Sequence, residues 1–103
     1  MLRRDSILPI GSVVKLAKQP SLKYMITGYY VIVDQILFDY CSIHYPLGEV
    51  KDSITVPFNG CDIEEVLFEG YRNEQTEVML NELERIGSQL STEIDRGLLK
   101  RNG

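Results

Sequence analysis

The sequence contains no tryptophan, one histidine and two cysteines among its 103 residues. With His44 as the single histidine, a zinc site would have to gather Cys41, Cys61 and a carboxylate from scattered positions. The spacing Cys41-x-x-His44 resembles a ligand pair, but a strand would place the two side chains on opposite faces. We therefore predict no catalytic, cofactor-binding or metal-binding residues, and we expect both cysteines to be reduced thiols.

Long apolar runs are also missing. The densest one, residues 24–38, is interrupted by Thr27, Gly28, Asp34 and Gln35, whereas a membrane span needs about 20 predominantly apolar residues. The first residues lack the apolar block of a secretory signal. We therefore expect a cytoplasmic protein that does not contact membranes.

Positive charge is scarce and unevenly placed. The net charge is −4, and it divides into +2 over residues 1–48 and −6 over residues 49–103. A general nucleic-acid binder needs a basic surface, so this balance argues against one. The length fits a single domain over residues 1–103, with a β-rich part at 7–72 and a helical part at 73–100.

The first part of the chain is rich in β-branched and aromatic residues, which favour strands. They predict strands over 11–17, 22–33 and 36–45, with short strands at 54–56 and 66–68. Gly28 within the second strand indicates a bulge. Short strands joined by brief polar turns are typical of an antiparallel sheet, here expected to be partly barrel-like.

The pattern changes at Asn73, a residue type that favours the N-cap of a helix. Beyond it, apolar residues recur every three or four positions, which predicts a long amphipathic helix over 73–100. Gly87 and Gly97 are the positions where we expect this helix to bend or fray. The predicted fold class is therefore α+β, with a small antiparallel sheet followed by a long C-terminal amphipathic helix.

The apolar stripe of that helix is the predicted interaction surface. A small sheet covers about the first three turns, so the segment from Leu90 to Leu99 has no obvious partner within the chain. We expect this surface to bind a helix of another protein or a second copy of the chain as a homodimer. The predicted interface residues are Leu83, Ile86, Leu90, Ile94 and Leu98, together with Tyr45.

Two sets of sequence blocks resemble a small family of Gram-positive bacterial proteins catalogued as a domain of unknown function. The first set is LPIGSVVKL at 8–16 with YMITG at 24–28, and the second is YPLG at 45–48 with FN at 58–59 and DIEEVLFEGY at 62–71. Members are often encoded beside type VII secretion toxins of the Leu-x-Gly class. The resemblance implies an accessory, chaperone-like or adaptor role, with a secreted toxin or a secretion accessory protein as partner.

These observations favour a non-enzymatic protein-interaction module. The alternative is a small-barrel protein that binds single-stranded nucleic acid through its tyrosines and Lys15, Lys18 and Lys23. Tyrosines at strand positions are, however, typical of sheet packing. An enzyme built on Cys61 and His44 is a third hypothesis, and loss of activity on Cys61→Ala would support it.

Overall fold

The computed structural model describes residues 6–101, the last of them by its backbone only. The predicted domain extends over residues 1–103, and its residues 1–5 and 102–103 lie outside the described part of the chain. Within residues 6–101 the chain forms six strands, a short 3-10 turn at Gly60–Asp62 and one α-helix. In chain order these elements are β1 (Val13–Leu16), β2 (Gln19–Val33), β3 (Ile36–Tyr45), β4 (Val56–Phe58), β5 (Ile63–Phe68), α1 (Glu74–Asp95) and β6 (Lys100–Arg101).

The sheet has the strand order β4-β3-β2-β1-β5, with antiparallel pairing throughout this path. The two-residue strand β6 pairs in parallel with the beginning of β3. The predicted α+β class is confirmed. The sheet is open, since the described residues form no pairing between β4 and β5, so the barrel-like form expected from the strand pattern is corrected to an open sheet.

The two long strands form the central hairpin of the sheet. They are joined at Asp34 and Gln35, whose φ angles of 52° and 66° place both in the left-handed region that two-residue hairpin turns require. The register shifts between Ile26, which faces Ser42, and Gly28, which faces Cys41. This shift is the bulge predicted at Gly28, and it increases the local twist of the hairpin.

The segment that precedes β1 is built into the core. Ile7 is fully buried, and the backbone of Leu8 is held by two tyrosines. The hydroxyl of Tyr29 donates to the Leu8 carbonyl at 2.5 Å, and the Leu8 N–H donates to the hydroxyl of Tyr40 at 3.2 Å. The sheet therefore fixes the path of this segment before its first strand begins.

A buried hydroxyl joins this segment to the end of β5. Ser12 Oγ donates to the carbonyl of Pro9 at 2.7 Å and accepts from the N–H of Gly70 at 2.9 Å. A Cβ at Gly70 would lie 2.2 Å from the Ile10 carbonyl oxygen. Glycine is therefore needed here because the two backbones approach too closely for any side chain.

The core consists of two clusters. The larger one lies on one face of the sheet and contains Val14, Leu16, Tyr24, Ile26, Tyr40 and Phe58. The smaller one joins Ile7 to Leu80 and Leu83 of α1, with Tyr29 and Tyr30 beside them. The helix thus buries the first half of its apolar stripe against the N-terminal segment and the tyrosines of β2.

The helix begins as predicted. Asn73 Oδ1 accepts the Thr76 N–H at 3.1 Å, and the Asn73 N–H donates to the Thr76 hydroxyl at 2.9 Å. These two bonds satisfy N–H groups that the first turn of a helix leaves without partners.

The predicted end of the helix at residue 100 needs correction, because α1 ends at Asp95. Gly97 adopts a φ of 77°, and its N–H bonds to the Ile94 carbonyl at 3.0 Å. A glycine in the left-handed region is a common helix stop. The chain then turns back to the sheet, where the Lys100 N–H donates to the Gln35 carbonyl at 2.8 Å. Leu99, the last residue of the segment expected to lack a partner within the chain, is 9% exposed and belongs to the core.

Within residues 6–101, no helix has the length and apolar character needed to cross a lipid bilayer.

Candidate protein-interaction surface

The sheet carries an apolar groove on the face opposite the larger core cluster. The register aligns Val13 with Met25 on one side and with Phe68 on the other, and it pairs Lys23 with Tyr45. Together with Gly11 and Leu67, these residues line a concave space of about 530 Å³. The groove is therefore built by β1, the first half of β2, the end of β3 and the end of β5.

The rim of this groove exposes large apolar side chains. Phe68 is 62% exposed, Tyr45 47% and Leu67 38%, whereas Val13 at the bottom is 7% exposed. The helix packs elsewhere, on Ile7 and the tyrosines of β2. Clustered apolar side chains on a protein surface are typical of a site that binds another molecule.

One wall of the groove is also an edge of the sheet. β5 pairs with β1 on one side, and the part of the chain that the structure describes places no strand on its other side. Val66, Leu67 and Phe68 follow one another along this strand and are all exposed. An edge strand presents unpaired N–H and C=O groups, so β5 offers a template for another strand.

The same edge is acidic. Glu64 and Glu65 lie within β5, and Asp62 and Glu69 flank it. Glu65 forms a 3.9 Å ion pair with Lys15 of β1, and Glu69 pairs with Arg72 just beyond the strand. The edge therefore keeps a negative balance that a partner of positive charge would complement.

The structure separates the residues of the predicted interface. Leu83 is 8% exposed and packs within the protein's own core, so it is not available to a partner. Ile86, Leu90 and Ile94 are half-buried on α1. Leu98 is 60% exposed but lies in the turn after the helix. Of the six predicted residues, Tyr45 alone lines the groove.

The groove residues Val13, Met25, Leu67 and Phe68 were not predicted. Two signals in the sequence point to them. Val13 and Val14 are consecutive apolar residues on a strand, so their side chains point to opposite faces, and both faces therefore carry apolar surface. The run Val66-Leu67-Phe68 places apolar side chains on both faces of β5 for the same reason.

The tyrosines considered for base stacking serve mostly in packing. Tyr24 and Tyr40 are almost fully buried, and the Tyr40 ring lies 5.3 Å from Phe58 and 5.8 Å from Tyr29, measured between centroids. Burial raises the pKa of Tyr24 and of Tyr40. For Tyr29, burial and the neighbouring Tyr40 raise the pKa to about 12, although Arg72 acts in the opposite direction.

The cysteines and the histidine lie on two elements, since Cys41 and His44 belong to β3 and Cys61 to the 3-10 turn. Cys41 is a half-buried free thiol on β3, and Cys61 is an exposed free thiol in the 3-10 turn. The His44 ring lies 5.0 Å from the ring of Tyr24. Within residues 6–101, no three side chains of histidine, cysteine, aspartate or glutamate come together as a possible metal site.

The comparison with protein families confirms the resemblance to a domain of unknown function. The model of a family described as "Domain of unknown function (DUF4176)" matches residues 7–79. This span contains all the residues that line the groove, the whole of β5 and the Ser12–Gly70 contact. Among curated proteins and among solved structures, none matches the chain.

Proposed function

This chain belongs to the family of domains of unknown function DUF4176, and from that premise we propose that it is a protein-interaction module without catalytic activity of its own. The observation that supports the proposal is the apolar groove beside β5. Its rim holds Tyr45, Leu67 and Phe68 in exposed positions. Such clustered exposed apolar side chains are typical of interaction sites, and aromatic residues are enriched in protein interfaces.

The proposed partner is a secreted toxin of a type VII system or an accessory protein of the same system. This choice rests on the resemblance to Gram-positive bacterial proteins encoded beside such toxins. The chain would act in the cytoplasm as a chaperone-like adaptor that covers part of the partner before export. An acidic, apolar surface is suited to this task, because it can bind a segment of opposite charge that would otherwise stay exposed.

Co-purification tests this proposal. The tagged chain is co-expressed with each product of the genes adjacent to its own, and the captured protein is identified and quantified. We expect capture by the wild type and loss of capture by Phe68→Asp, since a carboxylate in the groove would need costly desolvation. Val78→Asp is the matched control, because Val78 is 69% exposed on α1 and does not line the groove.

The co-purification results distinguish failure of the adaptor proposal from failure of the groove as its binding site. If the wild type captures none of the neighbouring products at micromolar concentration, the adaptor proposal fails. If Phe68→Asp captures a product as well as Val78→Asp does, the interaction exists but does not use the groove.

A further inference from the structure

We infer that the partner binds by adding one strand to the open edge of β5, through an extended segment in which apolar and basic side chains alternate. This inference rests on the proposed function and specifies how the partner is recognised. It uses three independent features: the backbone groups of β5, the adjoining groove and the charge of the edge.

The register identifies the backbone groups that face outward. The Ile26 N–H donates to the Ser12 carbonyl at 2.9 Å, so the Ser12 carbonyl points at β2. In an antiparallel ladder the bonding direction alternates from residue to residue, and the register of β1 with β2 is regular over Val13 and Val14, so Val14 also bonds toward β2. Val14 is aligned with Val66 of β5. Because Val14 directs its groups at β2, the opposite residue Val66 directs its N–H and C=O away from β1, toward the open side.

The groove lies where an added strand would place its side chains. A neighbouring strand runs about 4.8 Å from the edge, and its side chains point alternately to the two faces of the sheet. On one face they meet Leu67 and Phe68. A register shift between Val13 and Val14 makes Leu67 the extra residue of a bulge, so both side chains line the groove on this side. An apolar side chain at every second position of the added strand would thus cover exposed apolar surface, which is how strand addition gains specificity.

The charge of the edge decides which strand fits. Asp62, Glu64, Glu65 and Glu69 lie along or beside β5, and the described ion pairs join two of them to Lys15 and Arg72. Pairing β5 with β5 of a second copy would bring two such acidic sets together, and like charges on facing strands are destabilising. Basic side chains on the added strand would instead complement the edge.

Synthetic peptides test the inference without a natural partner. The probes are a seven-residue peptide that alternates lysine with valine and a matched peptide that alternates glutamate with valine. Binding to the full chain is measured by fluorescence anisotropy, and hydrogen exchange is followed at the backbone N–H of Val66. We expect the lysine peptide to bind, the glutamate peptide not to bind, and the Val66 N–H to exchange more slowly with the lysine peptide present.

Two pairs of variants assign the binding to the edge. Val66→Pro removes the outward N–H and is expected to weaken binding of the lysine peptide about tenfold relative to Val66→Thr, which keeps the N–H and the β-branched shape. Glu64→Lys is expected to weaken it about threefold, whereas Glu93→Lys makes the same charge change on the exposed surface of α1 and should have little effect. If Val66→Pro does not fold, Glu64→Lys and the exchange of the Val66 N–H decide the question.

The inference is overturned if the two peptides bind equally, if Val66→Pro binds like Val66→Thr, or if exchange of the Val66 N–H does not change. The failure of the adaptor proposal is a different result, namely that the wild type captures no neighbouring gene product. In a third possible result, Phe68→Asp no longer captures a neighbouring gene product but Val66→Pro still does. This result supports the adaptor proposal and contradicts strand addition.

Discussion

Gly70→Ala is expected to destabilise the protein strongly, and much more than Gly28→Ala. The added Cβ would lie 2.2 Å from the Ile10 carbonyl oxygen and 3.0 Å from the Ser12 nitrogen. Both are backbone atoms, so a change of side-chain rotamer cannot relieve the clash, and the two backbone segments must move apart. This movement also stretches the 2.9 Å bond from the Gly70 N–H to Ser12 Oγ.

The magnitude follows from these two effects. Overpacking of a filled interior costs about 1–3 kcal/mol, and weakening a buried hydrogen bond adds about 1 kcal/mol. We therefore expect a loss of about 3 kcal/mol in the free energy of unfolding. Because domains of this size have a total stability of roughly 5–15 kcal/mol, the loss is large, and it corresponds to a decrease of about 15 °C in the melting temperature.

Urea unfolding and thermal melting, both followed by circular dichroism, measure this loss. Gly28→Ala is the matched control, since a Cβ at Gly28 would meet its nearest neighbour, Cys41 Cβ, at an ordinary distance of 3.9 Å. We expect that control to change stability by less than about 1 kcal/mol. If Gly70→Ala and Gly28→Ala unfold at the same urea concentration, the close approach between Ile10 and Gly70 does not limit the fold.

Three further predictions concern the helix and the tyrosines. Leu83→Ala is expected to cost about 2–5 kcal/mol in urea unfolding because it empties a buried position, and Leu98→Ala, at a 60% exposed position, less than about 0.5 kcal/mol. Leu90→Glu is expected to disrupt a homodimer formed through α1 more than it disrupts folding. Sedimentation measures the mass in solution, and thermal melting measures the effect on folding. The third prediction concerns the contribution of protonated Tyr29 to the free energy of unfolding. This contribution is fully present below pH 10, the ordinary pKa of tyrosine, and is lost as the pH rises toward 12, because the pKa of Tyr29 in the folded protein is about 12. Urea unfolding at pH 9 and pH 11.5 measures this decrease, and Tyr29→Phe should reduce it.

The sequence predicted the elements well where the signals are local. The N-cap at Asn73 depends on one side chain and its own first turn, and the bulge at Gly28 depends on one residue without a side chain. Both were predicted because neighbouring residues determine them. The end of the helix does not follow from the sequence, because a glycine such as Gly97 near the end of an apolar stripe fits fraying as well as a full stop followed by a return to the sheet.

The surface was predicted poorly because burial depends on contacts between distant segments. Leu83 and Leu90 belong to the same apolar stripe, yet the first is buried and the second is half-buried. The difference arises because Ile7, more than 70 residues earlier in the chain, packs on the first half of the helix. No periodicity within the helix could reveal that contact. In the same way, the groove forms only when the register brings Val13 between Met25 and Phe68.

We favour the groove and β5 over the helix as the proposed interaction surface of this chain. The matched span ends at residue 79, before Leu83 and the rest of the predicted helix interface, and it includes the groove and β5. The uneven charge seen in the sequence agrees with this choice, because part of the negative charge of the second half lies along β5. An interface on the helix would use residues beyond the matched span, whereas an interface at β5 uses backbone groups that any sequence with the same register would present. The Val66→Pro experiment tests directly whether the partner uses these backbone groups.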